Sequence, residues 1–395
     1  MLKNFNASVR RPSLPGLLAN IKNFKLNLTP DQTSLARKKK LYWYTRYGKV
    51  EIREQTYRRV GGGGQLRPFA EAASVKCRGY SRPLQRAITD FGADHSFADA
   101  SKKLKEHYCI DVPVTASRLI TQTHAQAMVL RQESETKLRR GGLPLLIVEL
   151  DGTNIPVVET PEKSEKTPVK DRRKERRVGW REARLCFARR PESVSAIYRA
   201  TLQGVEEVGK YLEDCVAEAG GGRATNLHCV GDAAAWIINQ IERRFPEQAS
   251  YLIDFYHLSE YLSSASELIE GEKKEEWLRR QQEKMKANLV GEVIVVLKEE
   301  VENSKEEEGK KGVRACYRYI RNHEQYFDYK GAIEKGLPIG SGEVEGGHRW
   351  VIQKRLKISG AWWKEENAEK MLALRVVRAN DEWESYWEEV RQAAA

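Results

Sequence analysis

The sequence predicts an α/β protein. A basic, mainly helical region spans 1–140, with a candidate helix-turn-helix at 96–130. A mixed sheet with its helices spans 141–257 and 336–380, split by an all-α insertion at 258–335 and followed by a tail at 381–395. Three observations carry that expectation. The run Leu145-Leu146-Ile147-Val148-Glu149-Leu150 is apolar with β-branched residues at its centre. It lies between Gly142-Leu143-Pro144 and Asp151-Gly152, as a buried central strand would that delivers Asp151 to its end. Strand and helix signals then alternate up to His257 and give way to charged, helix-like sequence. Charge is also divided unevenly: residues 1–140 hold 27 Lys/Arg against 11 Asp/Glu, a net +16, and the remaining 41 against 45 give −4.

That asymmetry points to an anionic polymer, since Lys and Arg neutralise phosphates and release counterions. A length of 395 residues is enough for two or three domains. No stretch approaches the ~20 apolar residues of a membrane helix, and the N-terminus lacks the apolar segment of a signal peptide. A soluble, cytoplasmic protein is expected, with no membrane partner. Six scattered cysteines without a CxxC pair or zinc spacing are expected to be reduced, mostly small core residues.

In chain order, residues 1–35 carry Pro12, Pro15 and Pro30 and read as an arm. Arg37-Lys38-Lys39-Lys40 then abuts Leu41-Tyr42-Trp43-Tyr44, and strand-like character continues to Tyr57. Such a stretch suits DNA contact, or equally a small hairpin with an aromatic core. Gly61–Gly64 lacks a following Gly-Lys-Ser/Thr and reads as a turn or linker. Ser96 can cap a helix through Phe97, Ala100, Leu104 and Tyr108, and Thr115 a second through Leu119, Ile120 and Leu130. The pair reads as a DNA-reading helix-turn-helix or as a plain helical hairpin, with Arg118 and Arg131 the side chains to test.

Beyond the central strand, 161–177 is a basic, aperiodic loop. Ala183–Phe187 and Val194–Tyr198 are short strands, and Val205–Ala219 is a helix stopped by Gly220-Gly221-Gly222. Leu227–Asp232 is a fourth strand, Ala233–Phe245 a helix, and Tyr251–His257 a fifth strand. Three strands, a helix, a strand, a helix and a strand is the order of the ribonuclease H-like fold, in which acids lie on the first strand and at the end of the fourth. Asp151 and Asp232 hold those places. Gly336–Gly342 forms a turn, Ser341 can cap a helix running through Glu345, Trp350, Ile352 and Leu356, and Glu366–Asn380 closes the fold. The cations Arg349, Lys354, Arg355 and Lys357 follow Glu345 within one to three turns, where DNA phosphate would meet them.

Carboxylates without Cys or His favour hard cations, Mg²⁺ or Mn²⁺, over zinc. Two such ions support in-line displacement at phosphate.

The stretches Leu150-Asp151-Gly152-Thr153, Val230-Gly231-Asp232-Ala233-Ala234-Ala235-Trp236-Ile237, Asp254-Phe255-Tyr256-His257 and Gly340-Ser341-Gly342-Glu343-Val344-Glu345, followed by Arg355-Leu356-Lys357-Ile358-Ser359-Gly360, resemble bacterial insertion-sequence transposases of the DDE class, in the broad Mutator-related group. The resemblance implies that Asp151, Asp232 and Glu345 hold the catalytic metals and that Asp254 and His257 form an Asp-x-x-His motif, with His257 contacting DNA near the scissile phosphate. Relatives commonly have Gly after the second acid, where this chain has Ala233. They also have one acid in the Gly-Ser-Gly motif, where Glu343 adds a second; the motif selects Glu345, with Glu343 the fallback. Two residues on a helix differ by about 200°, so both cannot face one site.

The implied function is a transposase that binds terminal inverted repeats, hydrolyses the strand at each end and joins the 3′ hydroxyl to target DNA. It would work as a homodimer or higher oligomer on DNA in the bacterial nucleoid. A ribonuclease H-like nuclease and a transposase-derived, non-catalytic DNA-binding protein are the alternatives. Trp236 suits core packing, while Trp362 and Trp363 suit either core or base stacking.

Overall fold

The computed structural model describes residues 33–59, 65–67, 79–132, 138–159, 176–268, 273–303 and 312–392. Nearly all of the N-terminal arm, the Gly61–Gly64 turn, most of the basic loop at 161–177 and the charged loops near 270 and 306–311 lie outside them. Contacts divide the chain into two units, residues 1–121 with 384–395, and residues 122–383.

The first unit opens with an antiparallel hairpin, β1 (Thr33–Thr45) and β2 (Gly48–Arg59), with β3 (Gln65–Leu66) pairing the far end of β2. Gly48 completes its tight turn at φ +114°, in the region open chiefly to glycine. Trp43 and Ile52 are buried and pack with Leu41 and Val50. The structure therefore supplies the expected hairpin with its own apolar face.

Helix α1 (Arg82–Asp94), started by Pro83, has no counterpart in the sequence expectation. The helices α2 (Phe97–Tyr108) and α3 (Val114–Gln132) match the expected pair, with the Ser96 hydroxyl accepting from the Asp99 amide at 3.1 Å. Leu84, Ile88, Leu104 and Ile120 bury together. The hydroxyls of Ser101 and Ser117 lie 2.9 Å apart between α2 and α3.

In the second unit β4 (Leu145–Glu159), β5 (Arg177–Arg189), β6 (Ala196–Thr201), β7 (Asn226–Gly231) and β8 (Ala249–Ile253) form a mixed sheet in the order β6-β5-β4-β7-β8. The β4–β5 and β5–β6 pairs are antiparallel; β4–β7 and β7–β8 are parallel. Helices α4 (Val205–Glu218) and α5 (Ala235–Arg244) make the two crossovers that parallel neighbours require. Period-two alternation explains the two cores. Leu146, Val148 and Leu150 face Val208, Leu212 and Ile241, and Ile155, Val157 and Leu185 face Val344, Val351 and Leu372.

Two expectations are corrected here. The central strand does not stop at Asp151. Its parallel pairing with β7 ends at Glu149↔Val230, while antiparallel pairing with β5 continues from Asp151↔Leu185 to Glu159↔Arg177. Asp151 therefore lies mid-strand, where the sheet narrows. The fifth strand ends at Ile253, short of His257, because the Asp254 carboxylate accepts from the amides of Tyr256 and His257 and starts helix α6 (Phe255–Ser266).

The insertion is helical throughout its described residues: α6, α7 (Lys274–Lys286), α8 (Val290–Asn303), α9 (Val313–Asn322), a 3₁₀ turn and α10 (Tyr329–Glu334) surround Leu258, Trp277, Leu297 and Ile320. After it come α11 (Gly342–Gly347), a π-helical turn (His348–Gln353), α12 (Lys354–Leu356) and α13 (Glu365–Ala379). The expected tail is largely a helix, α14 (Trp383–Gln392), which buries Tyr386 and Trp387. Cys186, Cys215, Cys229 and Cys316 are buried free thiols and Cys109 is exposed. Among the described residues no helix is long and apolar enough to cross a membrane.

Candidate active site

Asp151 and Asp232 come from neighbouring strands. Asp232 directly follows β7, and its carboxylate accepts from the Ala234 amide at 2.9 Å while the Tyr251 hydroxyl donates to its carbonyl. Gly231 permits that contact: a Cβ there would stand 2.8 Å from the Tyr251 oxygen. Burial raises the Asp232 carboxyl above the usual range; the negative charge of Asp151 adds to the rise, and His257 opposes it. The two acids and His257 thus share one electrostatic neighbourhood.

Asp151 accepts from the Gly152 amide at 2.6 Å, and its other carboxylate oxygen lies 3.0 Å from Nε2 of His348. His348 is buried, and neither ring nitrogen makes an aligned hydrogen bond. It is therefore a close neighbour of Asp151 but not an oriented donor to it. Sequence reasoning missed His348, and the reason is local. It opens a π-helical turn, a widening of the helix common at functional positions, and a period of 3.6 residues cannot foresee its phase.

Glu149, two residues before Asp151 and on the same strand face, was missed as well. Its carboxylate is buried and accepts from the Val344 amide at 2.8 Å, so the central strand holds the first turn of α11 directly. Desolvation pushes its carboxyl up to about 8; the Val344 hydrogen bond works against that rise. The only signal in the sequence was one acid inside an otherwise apolar strand.

Asp254 supplies a second clamp. Besides capping α6, its carboxylate accepts from the amide of Ser341 at 2.7 Å and from the Ser341 hydroxyl. Gly340 fits beneath it because a Cβ would meet the Tyr256 ring at 2.6 Å. Asp254 is thus fully engaged in capping α6 and positioning the turn between α10 and α11. Replacing Asp254 by alanine removes the acceptor for three amides and one hydroxyl in a buried place. Urea unfolding should show a loss on the order of 3 kcal/mol, and a loss below ~1 kcal/mol would mean that this carboxylate does not hold the turn.

The two acids of the Gly-Ser-Gly segment behave differently. Glu343 forms a two-point ion pair with Arg189, whose guanidinium also donates to the carbonyls of Arg190, Pro191 and Ser193 at 2.9–3.1 Å. Glu345 is exposed. Asp151 and Asp232 are brought together by the neighbouring strands β4 and β7; among the described residues no three His, Cys, Asp or Glu side chains are gathered as a metal site.

Of the cations expected on DNA, Arg118 is exposed on α3, and Arg349, Lys354 and Lys357 are exposed after α11. Lys357 donates to the Thr153 hydroxyl at 2.8 Å, two residues beyond Asp151. Arg355 departs from the expectation. It is 2% exposed, with its guanidinium 4.8 Å from the centre of the Trp363 ring, because its helical phase is that of Val351, Ile352 and Leu356. His257 sits on the first turn of α6, half-exposed, against the rings of Tyr261 and Tyr319. Trp363 is buried and donates to the Leu356 carbonyl at 3.1 Å; Trp350 and Trp362 are exposed. Trp236 is partly buried, 5.3 Å from the Arg184 guanidinium.

A family model matches residues 84–392, from the first turn of α1 to the last residue of α14. The chain belongs to the uncharacterised protein family UPF0236. No curated protein matches it. The UPF0236 region takes in Asp151, Asp232, Asp254 and the Gly340–Glu345 turn, and leaves the β1–β2 hairpin outside.

Proposed function

We propose that this UPF0236 chain is a DNA transposase of the DDE class. It would bind element ends, hydrolyse a strand at each end and join the 3′ hydroxyl to target DNA. The observation that carries the reading is that Asp151 on β4 and Asp232 at the end of the adjacent parallel strand β7 each stand two residues beyond the last paired positions, Glu149↔Val230. The sheet order β6-β5-β4-β7-β8, with helices crossing between the third and fourth and the fourth and fifth strands, supports a ribonuclease H-like catalytic domain.

The donor set fits a hard divalent cation: two carboxylates under mutual repulsion, with no thiolate among them. Asp151 and Asp232 would hold Mg²⁺, or Mn²⁺ in its place. Glu345 is the third candidate ligand, since Glu343 is occupied by Arg189. When bound, the metal supplies Lewis-acid activation of a water or 3′ hydroxyl and stabilises the leaving oxygen. The chain does the rest. Glu149 and Asp254 fix the start of α11 to the sheet, His348 packs on Asp151, and Arg349, Lys354 and Lys357 neutralise the phosphates of a strand lying across the sheet edge. His257, whose charge would favour the ionised form of Asp232, would contact DNA near the scissile phosphate. One chain cannot easily hold two DNA ends, so a homodimer or higher oligomer assembled on DNA follows from the reading.

The test is strand cleavage and joining on a labelled duplex carrying the gene's own flanking DNA, with Mg²⁺. The expected result is a cut at a defined flank position followed by joining of that end to a second duplex. Cutting without joining would replace the reading with a nuclease. Binding without cutting would replace it with a non-catalytic DNA-binding protein.

A further inference from the structure

We propose that the β1–β2 hairpin is a two-stranded ribbon that inserts into the major groove of duplex DNA. This rests on the DNA reading above but not on its chemistry, and it names an element outside the family match. The hairpin's two faces are unlike. One holds Trp43, Ile52, Glu54 and Thr56, all buried. The other presents Lys38, Lys40 and Tyr42 from β1 and Lys49, Glu51 and Arg53 from β2, all exposed, in the register Lys40↔Arg53 and Tyr42↔Glu51. That outward face carries four cations and one acid, and Arg37 and the turn residue Arg46 are exposed beside it.

The cations are organised. The Nζ atoms of Lys49 and Lys40 lie 3.7 and 5.1 Å from the centre of the Tyr42 ring, and Glu51 pairs with Lys40 at 2.6 Å and Arg53 at 3.1 Å. Strands of this length extend about 40 Å, and a ribbon of two matches a major groove about 12 Å wide. Because the apolar face is already covered, the surface left to a partner is cationic, with an aromatic at its centre. Duplex DNA complements it in charge and shape. Duplex RNA, whose major groove is deep and narrow, does not.

The experiment uses the full chain and measures its affinity for a labelled DNA duplex by fluorescence anisotropy across a range of salt concentrations. The triple variant Lys40→Gln, Lys49→Gln, Arg53→Gln should lose at least tenfold in affinity, and its log–log salt slope should shrink by up to about 2.7, at roughly 0.9 for each phosphate no longer neutralised. Glu51→Gln, which frees Lys40 and Arg53 from a competing carboxylate, should bind severalfold more tightly. A merely structural hairpin predicts neither change. The proposal is overturned if the folded triple variant keeps the wild-type affinity and slope, or if wild type binds no duplex. Equal binding to duplex RNA or preference for anionic vesicles would also overturn it. A wild type that binds DNA through the ribbon but neither cuts nor joins would sink the transposase reading and leave this one standing.

Discussion

Replacing Asp232 by asparagine is expected to lower strand cleavage and joining by at least ~10³-fold, while DNA affinity stays within a few fold. On the proposed transposase reading the two readouts should separate, because the acid would serve the reacting phosphate and affinity would come mainly from cations elsewhere. Stability should move the other way. Asp232 is held largely out of water beside Asp151, so its ionised form is disfavoured in the folded chain and its carboxyl is raised. Asparagine keeps an oxygen for the Ala234 amide and removes the repulsion. In metal-free buffer the variant should therefore melt no lower than wild type near neutral pH. Mg²⁺ should raise the melting temperature of wild type and leave the variant's unchanged, as a ligand that binds only the native state does. A variant that cuts and joins at the wild-type rate would remove Asp232 from the chemistry.

Much of the local framework around these acids was legible in the sequence. Leu145–Leu150 announced a buried strand, Gly220–Gly222 a helix end, and Asp232 its place after β7, because these signals are local: apolar run, glycine stop, strand-end acid. What was misplaced depended on partners distant in the chain. Gly152 looks like a strand terminator, yet β5 continues to pair beyond it, so Asp151 lies mid-strand. Tyr251–His257 looks like one apolar run, but Asp254 can cap a helix, and three backbone amides and a hydroxyl claim its carboxylate.

Charge misled at Arg355 for a related reason. A cation near an acidic motif invites a phosphate, while the helix phase that buries Leu356 and the ring of Trp363 draw this one inward. The third acid illustrates the same limit. Spacing alone says that Glu343 and Glu345 diverge; only the position of Arg189, 154 residues earlier, shows which of the two is already paired. Glu149 and His348 were not singled out because the neighbour of each lies on another element, Val344 and Asp151 respectively.

Glu149→Gln should stabilise the protein in a pH-dependent way. In the unfolded chain this carboxyl ionises near 4.5, and in the folded chain only at about 8. Below 4.5 both states hold the proton and the acid costs the fold nothing. As pH rises from 4.5 towards 8 the unfolded state alone releases it, so wild-type stability falls, by on the order of 5 kcal/mol over the whole window. Glutamine has nearly the same shape, keeps an oxygen for the Val344 amide and cannot ionise. Melting curves in EDTA should coincide for the two proteins at pH 4.5 and diverge steadily up to pH 8, with the variant the more stable. Parallel curves across that range would show that Glu149 is not held neutral by burial. Glu149→Leu also removes the charge, but it orphans the Val344 amide. It should recover less of the stability, by about 1–3 kcal/mol, and should slow strand joining where glutamine does not. The difference between the two variants measures the tether from the central strand to α11, which carries Glu345, separately from the cost of a buried charge.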